Sequence, residues 1–139
     1  MTLAERLAAV EQRYVRLAPA AAWRAVAGGA LLVDTRPSEQ RRRDGEVPGS
    51  VVVGRNVLEW RLDPTSDARM PGGPDLDDPV IILCDHGCSS VLSVGSLLDA
   101  GFSRATDVVG GMQAWLAAGL PTVPVGRCID WTLPRTAPG

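Results

Sequence analysis

Residues 80–84 read Val-Ile-Ile-Leu-Cys, an apolar run with no polar alternation that stops at a cysteine. A strand with one wet face alternates apolar and polar residues, whereas an unbroken run is buried on both faces. Such a strand needs helices above and below it. Strand-like and helix-like segments alternate at short intervals along the chain. This predicts a single-domain α/β fold, a parallel β-sheet flanked by helices on both faces.

Three further strands are expected. Ala30–Val33 is a second short apolar run closed by Asp34, and Ser50–Val53 and Ala105–Val109 complete the set. Helices are predicted over Pro19–Val26, Pro37–Asp44, Asn56–Arg61, from about Ser90, and over Met112–Ala118. Pro19 suits a first helical position, and Gly28-Gly29, Gly45 and Gly101 stop their helices. Asp63–Asp78, with Pro64, Pro71, Gly72, Gly73 and Pro74, reads as loop. Leu3, Leu7, Val10 and Tyr14 mark an N-terminal amphipathic helix within residues 1–15. It packs either on the domain or on a second copy of the chain, so a homodimer is among the expected partners. The main domain is expected over residues 16–124. Residues 125–139, rich in Pro and Arg, read as a poorly packed tail. Trp60 and Trp115 are assigned to the core.

Size and composition agree with one core. The 139 residues fit one domain, and 45% hydrophobic with 22% charged residues is ordinary for a globular chain. The net charge of −2 argues against a nucleic-acid or anionic-membrane partner. The run Arg41-Arg42-Arg43 is followed at once by Asp44 and Glu46 and reads as a solvated helix face. No stretch approaches the length of a membrane span. Glu5, Arg6, Glu11 and Arg13 interrupt any secretory h-region. Three cysteines without a signal peptide predict reduced thiols and a cytoplasmic location.

Ligand sites in parallel sheets lie beyond the carboxyl ends of the strands. Cys84 sits at such an end. The loop after it is short and polar, contains Gly87, and leads into a helix. Backbone N–H groups and the helix dipole can therefore hold negative charge at the sulfur. A thiolate held this way is a nucleophile, and a persulfide on it is stabilised by the same donors. Cys84 is the candidate catalytic residue, with Asp85, His86, Gly87, Cys88 and Ser89 as the substrate-binding loop. The plainer readings are weighed beside these. Cys84 would otherwise be a small buried hydrophobe. Cys88 either resolves a persulfide as a disulfide or fills space. His86, the single histidine, is either a general base or, as favoured, a solvent-facing loop residue. Cys84, His86 and Cys88 are too tightly spaced for tetrahedral zinc, so no metal and no cofactor is expected. Gly110-Gly111 reads as a tight turn, and Cys128 is given no role.

The loop Cys84-Asp85-His86-Gly87-Cys88-Ser89-Ser90 resembles the active-site loop of the rhodanese family of sulfurtransferases. Upstream, Leu32-Val33-Asp34-Thr35-Arg36 is similar to that family's strand ending in Asp-x-Arg. Gly45-Glu46-Val47-Pro48-Gly49-Ser50 is similar to its Gly-His-Ile-Pro-Gly-Ala segment, with Glu46 where His is usual. Downstream, Asp107–Trp115 and Gly119-Leu120-Pro121 resemble its closing Gly-Gly…Trp…Gly-x-Pro. The likeness covers about residues 16–124, in order. It implies a rhodanese-like fold. It also implies that Cys84 takes a sulfane sulfur from a small-molecule donor, carries it as a persulfide, and passes it to a thiol or other nucleophilic acceptor, including an acceptor protein. Asp34 and Arg36 would then brace the loop. Members that use thiosulfate well often carry Arg or Lys in the loop, and this loop has none, so thiosulfate is expected to be a poor donor. Arg36, Arg55 or Arg61 would have to compensate from outside. A low-turnover regulatory or protein-binding module is the alternative. A phosphatase is disfavoured, because the next arginine after Cys84 is Arg104, beyond the following helix.

Overall fold

The computed structural model of the protein describes residues 1–133. Among them lie four parallel strands: β1 (Leu31–Asp34), β2 (Val51–Val52), β3 (Val80–Leu83) and β4 (Ala105–Asp107), in the sheet order β2-β1-β3-β4. Six α-helices accompany them: α1 (Leu3–Glu11), α2 (Pro19–Ala27), α3 (Ser38–Asp44), α4 (Leu58–Leu62), α5 (Ser89–Asp99) and α6 (Gly111–Ala117). The strand register pairs Leu32 with Ile81 and Asp34 with Leu83. The apolar run at β3 is one of the two inner strands, and all four of its residues are buried.

Alternate side chains of a strand point to opposite faces, so the unbroken run feeds two cores. Val33, Val80 and Ile82 pack with Leu58 and Leu62 of α4, Val94 and Leu97 of α5, and Phe102. Leu32, Ile81 and Leu83 pack with Ala22 of α2 and with Met112 and Trp115 of α6. Trp115 is fully buried, and Trp23 meets it edge-on with ring centroids 5.8 Å apart. Helices therefore cover both faces. α1 packs on α5 of its own chain. Val10 lies over Gly95, where an added Cβ would come within 3.0 Å of it, and Arg13 pairs with Asp99 at 2.8 Å. Among the described residues, no helix is long and apolar enough to cross a membrane.

Three expectations are corrected. Trp60 is 59% exposed rather than core. In α4 the inward positions are Leu58, Arg61 and Leu62, and residue 60 falls on the opposite side of so short a helix. The arginine run is not uniformly solvated. Arg42 and Arg43 are exposed, but Arg41 is buried and donates from Nη1 to Glu46 Oε2 at 3.0 Å. Glu46 is itself fully buried and also accepts from the Gly126 and Cys128 N–H groups. The residue that departs from the family's usual histidine thus ties the C-terminal segment to the domain.

That segment is the third correction. The sequence predicts poor packing from residue 125, yet through Thr132 the segment is bonded in. Val52 N–H donates to the Ile129 carbonyl at 2.8 Å and Trp131 N–H to the Val52 carbonyl at 2.7 Å, a parallel bridge along the outer side of β2. Arg61 Nε donates to the Trp131 carbonyl, and Thr132 Oγ1 accepts from Gly54 N–H. Main-chain hydrogen bonding of this kind does not depend on apolar side chains, so composition concealed it. The remainder of the expected tail lies outside the described residues. On the opposite margin, Leu17 bridges β4: Leu17 N–H donates to Asp107 O, and Val109 N–H to Leu17 O.

The contrast between neighbouring arginines is testable. Arg41→Met leaves the Glu46 carboxylate buried with only main-chain donors and should lower unfolding free energy by about 3 kcal/mol in urea titration. Arg42→Met, on the exposed side, should change it by no more than about 0.5 kcal/mol.

Candidate active site

Cys84 follows the last residue of β3, and α5 begins five residues later. Its Sγ accepts two main-chain hydrogen bonds, from Gly87 N–H at 3.2 Å and from Ser90 N–H at 3.4 Å. The second donor lies in the first turn of α5, where N–H groups lack partners within the helix and the dipole is positive. The cysteine is 5% exposed. Cys84 thus sits at the floor of its cleft, with the donors expected for holding negative charge on sulfur.

The loop takes this shape because three glycines let it press against the start of α6. Gly87 has φ 79°, and a Cβ on it would lie 2.6 Å from the Gly110 nitrogen. Gly111, at φ 59°, packs against the carbonyl oxygens of Cys84 and Asp85, leaving no room for a side chain. The α6 amides use those carbonyls: Met112 N–H donates to Cys84 O at 2.9 Å and Gln113 N–H to Asp85 O at 3.1 Å.

On the other side the loop is held by a charge network. Asp107, at the end of β4, is fully buried. It accepts from Arg16 Nε and Nη2, each at 3.0 Å, and from Ser90 Oγ at 2.7 Å. Arg16 Nη2 also donates to the Gly87 carbonyl at 2.6 Å. These supports were not anticipated. Asp107 carried a signal, a carboxylate ending a buried strand as Asp34 does. Arg16 carried none, since it lies 91 residues from its partner.

Arg36 lies beside the Cys84 loop in the lining of the cleft, while the side-chain bonds of Asp34 and Arg36 run to each other and to the α3 segment. Both are buried, and Arg36 Nη2 bonds Asp34 Oδ2 at 2.8 Å and the Gly45 carbonyl at 2.8 Å. The pair fastens the α3 segment to the end of β1 and so builds the opposite wall of the cleft. Burial raises the Asp34 carboxyl above its ordinary value, against the hydrogen bonds and charge of Arg36.

The cleft over Cys84 encloses about 430 Å³. Asp85, His86, Cys88 and Ser89 line one side, and Thr35, Arg36 and Arg55 the other. Gly87 belongs to the loop through its N–H rather than to the lining. Asp85 does not present bare charge. It accepts from Gln113 Nε2 and Arg43 Nη2, each at 2.9 Å. Burial opposes its ionisation, but these bonds and the charges of Arg43 and His86 outweigh it and hold the carboxyl below the usual range. His86 lies 3.2 Å from Asp85 with its side chain 71% exposed. Cys84 and Cys88 are both free thiols, and Cys88 is exposed at the N-cap of α5. Cys128 lies away from the cleft, donating to the Val47 carbonyl, and burial pushes its thiol up. Arg61 is spent on main-chain carbonyls of residues 68, 131 and 132. Among the described residues, no three His, Cys, Asp or Glu side chains are grouped to hold a metal ion.

Two outcomes are expected. Gly87→Ala combines left-handed strain with a backbone clash and should cost about 2 kcal/mol or more in chemical denaturation. Gly119→Ala, at φ 69° with open space around it, should cost about 1 kcal/mol. The stability contributed by the ionised Asp85 is fully present above its unfolded value of ~3.9 and is lost as pH falls through the lower folded value. Asp85→Asn should therefore flatten the acid side of a Tm-against-pH curve.

Residues 18–118 match the family model of the rhodanese-like domain. The chain is 36% identical over 89 residues to the thiosulfate sulfurtransferase GlpE of Pseudomonas savastanoi pv. phaseolicola, covering 64% of this chain and 74% of that protein. Among solved structures it is similar to a Rhodopseudomonas palustris protein described as a possible tyrosine phosphatase, with TM-score 0.80 and 28% identity over 88% of this chain and 95% of the other. The polysulfide-sulfur transferase homodimer of Wolinella succinogenes shares the fold at TM-score 0.71 and 24% identity, with 88% of each chain covered. A cysteine loop at the end of an inner parallel strand, in a chain matched over most of its length, leads to one conclusion: this protein belongs to the rhodanese-like domain family.

Proposed function

We propose that the protein is a sulfurtransferase in which Cys84 is the sulfur carrier. The observation that carries this reading is the convergence of the Gly87 and Ser90 N–H groups on Cys84 Sγ at the start of α5. In the first step the Cys84 thiolate attacks the transferable sulfur of the donor. The donor's bond to that sulfur breaks, S–S in thiosulfate or polysulfide and C–S in mercaptopyruvate, and the remainder leaves with the bonding pair, as sulfite, a shorter polysulfide or the enolate of pyruvate respectively. Cys84 then carries a persulfide anion, whose charge lies within reach of the same two donors. In the second step an acceptor thiolate attacks the outer sulfur. The acceptor leaves as its own persulfide, and the Cys84 thiolate is restored. Thiosulfate is the donor named for the 36%-identical relative, and it is the first donor to try here. His86 need not act as a base in either step, because both begin from a thiolate.

Phosphatase chemistry, suggested by the description of one structural neighbour, lacks its clamp. Bidentate grip of a phosphoryl group needs an arginine in the loop. Arg104 instead lies at the start of β4, its carbonyl accepting from Val80 N–H at the start of β3. That is the edge of the sheet opposite Cys84.

Intact-mass measurement after incubation with thiosulfate, mercaptopyruvate or inorganic polysulfide should show a gain of about 32 Da, one sulfur, that reducing agent removes. Cys84→Ser should abolish it, while Cys88→Ser should retain it. A protein that gains no sulfur from any of the three donors is not a sulfurtransferase of this kind.

A further inference from the structure

The cysteine loop contains no arginine, and the chain contains no lysine, so any permanent positive charge meeting an anionic donor must come from an arginine elsewhere. Most arginines at this edge of the sheet are committed. The Arg36 side chain is fully enclosed and bonded to Asp34, Gln40 O and Gly45 O. Arg41 is held by Glu46, Asp130 and the Arg36 carbonyl. Arg43 faces Asp44 and Asp85, and Arg16 is locked beneath the loop by Asp107 and the Gly87 carbonyl.

Arg55 differs. It stands in the turn Arg55–Val57 that leads from β2 into α4, and it lines the cleft together with Cys84. It also lines an adjoining cleft of about 660 Å³ that shares Thr35, Arg36 and Pro37 with the first. Its side chain is 40% exposed. Only Nη1 is engaged, at 2.9 and 3.0 Å from the two Glu59 oxygens. Among the described residues, its Nε and Nη2 make no hydrogen bond. Glu59 does not depend on Arg55 alone, since Ser96 Oγ donates to its Oε2 at 2.5 Å. An exposed pair one helical turn apart is weak. A planar guanidinium gripping an oxyanion in a narrower cleft is stronger.

We propose that Arg55 is the donor-anchoring residue of this site, releasing Glu59 to bind the oxyanion end, sulfonate or carboxylate, of a sulfur donor whose transferable sulfur then reaches Cys84. This rests on the sulfurtransferase reading and adds a substrate class to it: small donors that carry an oxyanion beside the transferable sulfur. Glu59 becomes the internal competitor that holds the guanidinium when the cleft is empty.

The test is steady-state kinetics with dithiothreitol as acceptor, run with thiosulfate (sulfonate end), mercaptopyruvate (carboxylate end) and inorganic polysulfide, which has no oxyanion. Arg55→Gln should raise KM for the first two by about 10-fold, with a smaller change in kcat and a smaller effect on polysulfide. Arg55→Lys should recover part of the loss, since it keeps the charge but not the fork. Glu59→Gln, which frees Arg55, should lower KM for both oxyanion donors by about threefold. A merely structural Arg55–Glu59 pair predicts the reverse for Glu59→Gln. The proposal is overturned if Arg55→Gln affects all three donors alike or none of them, while polysulfide still loads Cys84. Failure of every donor to load Cys84 in the unaltered protein overturns the sulfurtransferase reading as well.

Discussion

The bidentate pairing of Arg16 with the buried Asp107 carboxylate decides which way the Cys84 loop faces. Two residues present their N–H groups to the sulfur, Gly87 and Ser90, and each has its other polar group taken by this pair. The Gly87 carbonyl is turned out to Arg16, so the neighbouring peptides can aim their N–H groups inward. The Ser90 hydroxyl is fixed on Asp107, which positions the first turn of α5 over the sulfur. Remove the pair and the loop has no reason to prefer amides over carbonyls at its centre. A buried ion pair is weak evidence for stability in general, but here it has a clear orienting effect on main-chain dipoles.

The same device occurs on both sides of β3. β1 ends in Asp34, neutralised by Arg36, and β4 ends in Asp107, neutralised by Arg16. Between them β3 ends in cysteine. Paired with guanidinium groups, the two carboxylates act as fixed anchors for the walls of the cleft. Asp85 is treated similarly on the loop itself by Arg43 and Gln113. Asp34, Asp85 and Asp107 therefore each have a guanidinium partner.

The parts of this arrangement legible in the sequence were the local ones. The apolar run of β3, the cysteine after it, the glycine in the loop and the glycine pair before α6 each act within a few residues of themselves, and their spacing carries the information. What was hidden depends on partners far along the chain. Arg41 looked solvated because it sits in a run of arginines, and burial came from Glu46 and the returning C-terminal segment. Trp60 looked like core because it is large and apolar, but α4 is too short for periodicity to announce its inner face. Arg16 lies outside every motif. Asp34 and Arg36 were recognisable as a pair, but adjacency in sequence does not say which neighbouring segment a side chain will reach, here the carbonyls of Gln40 and Gly45.

The bridges made by Leu17 and by residues 129–131 lie on the two margins of the four-stranded sheet. Both margins would otherwise show unpaired main-chain groups, the template on which strands from other molecules add. Here short lengths of the chain's own backbone occupy the Val52 groups on one margin and the Asp107 carbonyl and Val109 N–H on the other. The stretch matched by the family model, residues 18–118, includes neither of those lengths. A fragment trimmed to that stretch would keep the cysteine and its loop but lose Arg16 and uncover main-chain groups on both borders, so the flanking segments guard the rim of the sheet and hold the reactive loop in shape together.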